Sequence, residues 1–150
     1  MRVVIQRVTK AEVVINGAEK RSAGQGLLIL AGFENADTAD DVVWLAKKAV
    51  NLRIFNDDNG VMNLSLNDIG GDVMIVSQFT LHAKTKKGNR PSYIHAAPPG
   101  IAVPLYESFV DEVRKLIKGK AVTGEFGAHM EISLVNDGPV TIVIDTKNKE

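Results

Sequence analysis

An α/β fold, with mostly antiparallel sheets and two covering helices, is what this sequence predicts, on three observations. Both ends of the chain alternate apolar with polar residues at the period of a half-buried strand, as from Val3 to Val8, Met130 to Val135 and Val140 to Asp145. Two segments between those ends repeat apolar residues every three to four positions, the spacing of a helix that buries one face. Asn16-Gly17, the dipeptide that most favours a tight hairpin, lies between two short strand-like runs.

In chain order, Val3 to Val8 reads as a strand, and Ala11 to Ile15 and Ala18 to Ser22 form the arms of the Asn16-Gly17 hairpin. Leu27 to Gly32 is a continuous apolar run, suited to a strand covered on both faces. The glycines before it do not make a phosphate loop, because no third glycine completes the dinucleotide spacing and no P-loop lysine follows. Asp37 or Thr38 can cap a helix with Asp40 and Asp41 in its first turn and Val42, Leu45, Ala46 and Ala49 on one stripe. The Asp57 to Gly60 segment is a turn between Ile54-Phe55 and Val61-Met62, and Gly70-Gly71 leads into a buried strand that ends near Ser77. A second helix follows Pro98-Pro99-Gly100, with Leu105, Phe109, Val113 and Leu116 as its stripe and Gly119 placed to stop it. Two alternating strand arms then flank Asn136-Asp137-Gly138-Pro139. A two-residue reversal there would need an N–H that Pro139 lacks, so the expected loop is not the tightest hairpin.

Length and composition narrow the function. At 150 residues the chain fits one domain, and no composition shift, linker or internal repeat divides it. With no cysteine it has no disulfide and no thiolate metal site. The longest apolar run, Leu27 to Phe33, is too short to span a bilayer, and the alternating N-terminus lacks a secretion signal's apolar segment. A soluble, cytoplasmic protein without membrane association is expected. Net charge is zero, which argues against a protein coated in positive charge, but its distribution is uneven. Residues 34 to 58 carry six acids against three bases, whereas from Val73 to Tyr106 there is no acid and four bases: Lys84, Lys86, Lys87 and Arg90. Such a patch can hold a phosphate backbone even on a neutral chain.

The candidate chemistry gathers at the edge of that patch. His82, His95 and His129 form no pair at ligand spacing, so neither a metal nor any other cofactor is expected. A Ser77, His82 and Asp72 triad can be drawn, as it can on most chains of this size, but only geometry makes a triad. The SQFT stretch, Ser77 to Thr80, offers another route. At a strand end, successive backbone N–H groups leave the ladder and can form an oxyanion hole, with Gln78 adding an amide, Ser77 and Thr80 hydroxyls, and Phe79 an apolar wall. The bland alternative is a strand end whose Ser and Thr satisfy local backbone groups.

Taken together, SQFTL at 77 to 81, KKGNRPSY at 86 to 93 and NDGPVT at 136 to 141 resemble the signature motifs of the D-aminoacyl-tRNA deacylases, which hydrolyse D-amino acids from mischarged tRNA. The opening MRVVIQRV and the stretch at 52 to 66 resemble the same family, so the likeness covers essentially the whole chain. It implies a barrel-like sheet system in a homodimer, with active sites at the subunit interface and tRNA as the partner. Backbone amides around Gln78, Phe79 and Thr80 would hold the carbonyl oxygen of the aminoacyl ester. No side chain would act as covalent nucleophile; the 2′-hydroxyl of the terminal adenosine would assist the attacking water.

The resemblance further implies that Gly138-Pro139 is a cis dipeptide inserted into the partner subunit's site. Its carbonyls would face the α-carbon and exclude an L side chain, and glycine, with nothing to exclude, would also be removed, as from glycyl-tRNA mischarged on tRNA(Ala). Arg7 would brace that loop, Phe126 and Met130 would line the adenosine pocket, and Lys84, Lys86, Lys87 and Arg90 would meet the acceptor stem. Two rival readings make different predictions. A noncatalytic tRNA-binding module would bind without turnover, and a small-molecule esterase with Ser77 or Thr80 as nucleophile would form a covalent intermediate.

Overall fold

In the computed structural model, which describes residues 1–150, β1 (Arg2–Ile15) is the strand on which the remaining sheet is assembled. It carries Val3 and Ile5 into one core and Val8, Ala11, Val13 and Ile15 into a second. Bulges between Gln6 and Val8 and between Val8 and Lys10 shift the alternation and bend the strand from one core to the other. At Asn16 and Gly17 φ is 49° and 69°, the left-handed geometry the dipeptide favours, and the chain turns into β2 (Glu19–Ala23), antiparallel to β1.

The apolar run forms β3 (Gly26–Gly32), antiparallel to β1 and parallel to β6 (Asp72–Ser77). Both strands are apolar on both faces for a structural reason. Leu27, Ile29, Val73 and Ile75 face the first core, and Leu28, Met74 and Val76 face the second. Between them come α1 (Ala39–Asn51) and a small antiparallel pair, β4 (Phe55–Asn56) and β5 (Met62–Leu64). The Asp41 carboxylate accepts from the Thr38 N–H at 2.9 Å and the Thr38 hydroxyl at 3.0 Å, which fixes where α1 starts. Burial alone would push the Asp41 carboxyl up; hydrogen bonds from Lys147, the Thr38 amide and nearby hydroxyls outweigh it and hold the group below the usual carboxylate range.

The second helix, α2 (Pro99–Leu116), begins with proline in its first turn and buries Ala102, Tyr106, Phe109, Val110 and Val113. Four of these, Tyr106, Phe109, Val110 and Val113, belong to the expected stripe in its broadened form, which also takes in Tyr106, Val110 and Ile117; Leu105, Leu116 and Ile117 at its edge are only half-buried. The helix stops before Gly119, with the Ile117 N–H bonded to the Val113 carbonyl at 3.2 Å. After it comes a strand the sequence reading did not anticipate, β7 (Ala121–Thr123), parallel to β6. No helix is long and apolar enough to cross a membrane.

The largest correction lies at the C-terminus. The two arms expected around residues 136 to 139 are one 16-residue strand, β8 (Met130–Asp145), which runs antiparallel to β1 along nearly its whole length. Asn136 pairs with Val8 and Thr141 with Gln6, so residues 137 to 140 bulge out opposite Arg7 and the chain does not reverse. Proline is tolerated in a strand there because a bulged residue owes no N–H to the ladder. The sheet order β2-β1-β3-β6-β7, with β8 on β1, curls toward closure. Arg21 of β2 spans the remaining seam: its Nη1 donates to the carbonyls of Thr123 at 2.7 Å and Gly124 at 3.2 Å. The result is a barrel-like, mostly antiparallel system whose first core is covered by α1 and α2.

Candidate active site

Parallel strands β3 and β6 end side by side, and their C-terminal ends open into a cavity of about 300 Å³. Ser77, Gln78 and Phe79 line it together with Gly32, Phe126 and Met130. This is where ligands collect in parallel sheets, since the chain must leave both strands and diverge. Phe126 and Met130 are therefore brought beside residues some 50 positions away in sequence. The segment from Gly127 to His129 and the loop and helix residues Ala97 and Ala102 add to the walls; of these only His129 stands out in the sequence, as a metal-ligand candidate and not as a pocket residue.

Ladder geometry explains why β6 stops. The Gln78 N–H still reaches the Ala31 carbonyl at 2.7 Å, continuing the parallel pairing by one residue. A 3₁₀ turn, Phe79–His82, then takes over, with its first turn bond from the Leu81 N–H to the Gln78 carbonyl at 3.3 Å. The N–H groups of Phe79 and Thr80 precede that bond and so fall outside the turn's own ladder. This narrows the expected set of donors, because the Gln78 amide is committed to Ala31 while Phe79 and Thr80 are not used by the turn. The Gln78 side chain closes locally, its Nε2 donating to the Thr80 hydroxyl at 2.6 Å.

Close packing holds the turn. A Cβ on Gly32 would come within 2.8 Å of the Gln78 carbonyl oxygen and 3.1 Å of both Leu81 Cβ and His82 Cδ2, so only glycine lets β3 approach this near. Arg2, which no motif marks, donates from Nη1 to the Leu81 carbonyl at 2.7 Å while its other nitrogens hold Asp145. Beneath the site the Tyr106 hydroxyl donates to the Ile75 carbonyl at 2.9 Å, and burial pushes that phenol up to about 12.

The Ser77, His82 and Asp72 triad does not assemble. Asp72 sits at the opposite end of β6 from Ser77, roughly 16 Å along the strand at ~3.3 Å per residue, and its carboxylate accepts from the N–H groups of Gly24 and Lys120. His82 is buried, with its Nε2 unpartnered. Nor do three or more His, Asp or Glu side chains gather anywhere as a metal site would need.

Past the turn, the N–H groups of Lys84 and Ser92 donate to each other's carbonyls at 2.8 and 3.0 Å, closing a loop that holds Lys86, Lys87 and Arg90. All four basic side chains are exposed and none enters an ion pair. Tyr93, just beyond the closing pair, meets Phe79 edge-on, ring centroids 5.1 Å apart and planes at 77°.

Gly138 and Pro139 are elsewhere. Their peptide is cis, and neither residue lines the cavity of its own chain. Arg7, buried although charged, grips the bulge: Nε donates to the Asp137 carbonyl at 3.0 Å and lies 3.2 Å from its carboxylate, while Nη1 donates to the Ile54 carbonyl at 2.6 Å. Beyond the bulge, Val143 leaves 63% of its surface exposed on a strand that has β1 as its one partner.

Comparison with known proteins places this architecture. The sequence profile of the family described as D-Tyr-tRNA(Tyr) deacylase matches residues 4–145. Relatives named D-aminoacyl-tRNA deacylase from Parabacteroides distasonis and Akkermansia muciniphila are each 58% identical over 150 residues, covering all of both chains. A solved structure described as the c-Myc DNA Unwinding Element Binding Protein superposes with a TM-score of 0.90 at 37% identity, over 97% of this chain and 98% of that one. A second, described as a probable eukaryotic D-amino acid tRNA deacylase, gives a TM-score of 0.83 at 18% identity, over 95% and 97%, a likeness of fold.

Proposed function

The chain belongs to the D-Tyr-tRNA(Tyr) deacylase family, and we propose from that premise that it hydrolyses the ester joining a D-amino acid to the 3′ end of tRNA, releasing free tRNA and the amino acid. The observation that carries this to the chemistry is the cavity at the ends of β3 and β6. It is lined by Ser77, Gln78 and Phe79, with two adjacent N–H groups outside the turn's ladder and no assembled nucleophile triad.

In this reading the N–H groups of Phe79 and Thr80 receive the ester carbonyl oxygen. Negative charge grows on that oxygen as water adds, and donors fixed in advance by the backbone need no reorganisation at that moment; one such donor contributes about 3–4 kcal/mol to lowering a barrier. The adenosine lies between Phe126 and Met130, its 2′-hydroxyl assisting the water. Lys84, Lys86, Lys87 and Arg90 meet acceptor-stem phosphates, contacts that position without reading sequence.

The working form is a homodimer in the cytoplasm, and each subunit's Gly138-Pro139 enters the other's cavity. Two features support this: the dipeptide does not line its own cavity, and β8 offers an open edge 16 residues long. Rigid backbone facing the α-carbon excludes an L side chain, and glycine passes the same filter.

The test is ester loss from matched D-tyrosyl-tRNA and L-tyrosyl-tRNA, with and without chelator. Rapid, chelator-resistant loss of the D ester alone is expected. Survival of both esters while tRNA still binds would turn the reading to a noncatalytic binding module.

A further inference from the structure

We propose that Phe79 and Tyr93 form a stacking platform for the unpaired nucleotides that precede the terminal adenosine of tRNA, a second subsite at the mouth of the cavity. The inference rests on the deacylase reading and extends its substrate contacts beyond the aminoacylated nucleotide.

The two rings meet edge to face at 5.1 Å, yet Phe79 stays 55% exposed and Tyr93 39% exposed. An aromatic pair left exposed, with one of its rings lining a cavity, is unusual for a residue type that normally buries its surface. Phe79 is itself a wall of the cavity, so the platform is continuous with the place where the ester would lie. Tyr93 follows directly on Ser92, whose backbone bonds to Lys84 close the basic loop. The stacking surface and the four unpaired cations are therefore joined at the same point of the chain.

Charge selects the occupant. Between Val73 and Tyr106 there is no acidic residue, so a polyanion meets no repulsion from this stretch, and Lys84, Lys86, Lys87 and Arg90 have no protein carboxylate to satisfy them. A single-stranded nucleic acid brings both things the surface lacks: a phosphate for each nucleotide and a base with a π-face. Every tRNA presents such a strand, since the nucleotides before its terminal adenosine are unpaired. An edge-to-face pair leaves one broad ring face open, and stacking on it is tolerant of base identity, as an enzyme acting on many tRNAs needs. The phenol of Tyr93 adds a donor at the rim.

The experiment compares two substrates of the full-length protein, D-tyrosyl-tRNA and the short ester D-tyrosyl-adenosine, for wild type, Tyr93→Ala and Tyr93→Trp. The readout is the ratio of kcat/KM on the tRNA to kcat/KM on the short ester. Tyr93→Ala should lower that ratio about 5- to 150-fold, the range for losing one base–aromatic stack, chiefly through KM, and Tyr93→Trp should restore it. Equal losses on both substrates would mean that Tyr93 only braces the Phe79 turn, and an unchanged ratio would mean that no base rests there; either overturns the platform. Conversion of Tyr93→Ala to monomer in sedimentation would show that a second subunit covers the surface, which also overturns it. Failure of the deacylase reading is separate: wild type would then hydrolyse neither ester.

Discussion

Replacing Gly138 with alanine places a methyl carbon 2.9 Å from Val140 Cγ2, 3.0 Å from Arg7 Nη2 and 3.1 Å from the Val140 nitrogen. All three separations are shorter than ordinary carbon contacts, which begin near 3.5 Å. The residue also has φ of +123°, where L side chains rarely go, and holding one there costs about 1–3 kcal/mol. Two escapes exist. Arg7 could swing aside, but it is tied at 2.6 Å to Ile54 and 3.0 Å to Asp137, and giving up one such charged hydrogen bond costs about 1.5–3 kcal/mol. The bulge could instead rotate, which moves the carbonyls proposed to face the α-carbon. The first route adds the Arg7 loss to the backbone cost, about 2.5–6 kcal/mol in urea denaturation, and the second relieves part of it, leaving about 1–3 kcal/mol, the smaller and therefore preferred loss in a domain of ~5–15 kcal/mol. The D-over-L ratio on tyrosyl-tRNA should fall about tenfold, the equivalent of ~1.4 kcal/mol of lost discrimination. A variant with wild-type stability and an unchanged ratio would refute both the steric argument and the filter.

Thr80→Ala should retain appreciable activity, because the backbone N–H remains and only the hydroxyl bonded to Gln78 is lost. A fall of no more than about tenfold in single-turnover rate is expected, and a loss near the million-fold of a deleted nucleophile would restore the esterase reading. For Arg7→Met, the carbonyls of Ile54 and Asp137 lose their donor, so unfolding in urea should shift by about 2–4 kcal/mol; a shift below about 0.5 kcal/mol, within the usual spread for surface changes, would deny Arg7 its bracing role. Asp41 gives a pH prediction. Its folded-state pKa lies below the unfolded value, so its contribution to stability is present above about pH 4 and lost as pH falls further. Asp41→Asn should therefore cost stability at pH 7 and progressively less toward pH 2, and a constant difference across that range would show that the Lys147 and Thr38 contacts do not depend on its charge.

How much was legible in advance follows from which features are local. The Asn16-Gly17 turn, the Thr38 start of α1, the apolar β3 and the end of β6 at Ser77 were all readable, because each is set by residues within a few positions of one another. Strand β7 has no such local mark: three half-buried residues are too few to show a period, and they become a strand because β6 stands beside them. The Asn136 to Pro139 segment reads as a loop between two arms, since the rule that proline blocks a tight hairpin holds whether the chain turns or merely bulges, as it does here. What decides is β1, more than 100 residues earlier, which accepts both arms in one antiparallel register.

The candidate site divides in the same way. Sequence alone marked Ser77 to Thr80, the basic loop and the Gly138-Pro139 pair, because motif and charge are properties of adjacent residues. Tertiary structure decided that the Gln78 amide is spent on Ala31, that Asp72 is at the far end of its strand from Ser77, and that Tyr93 meets Phe79 beside the cavity. Those facts depend on which strand ends lie together. That is set by burying both apolar faces of β3 and β6 at once, a free energy summed over two whole cores and written in no single stretch of chain.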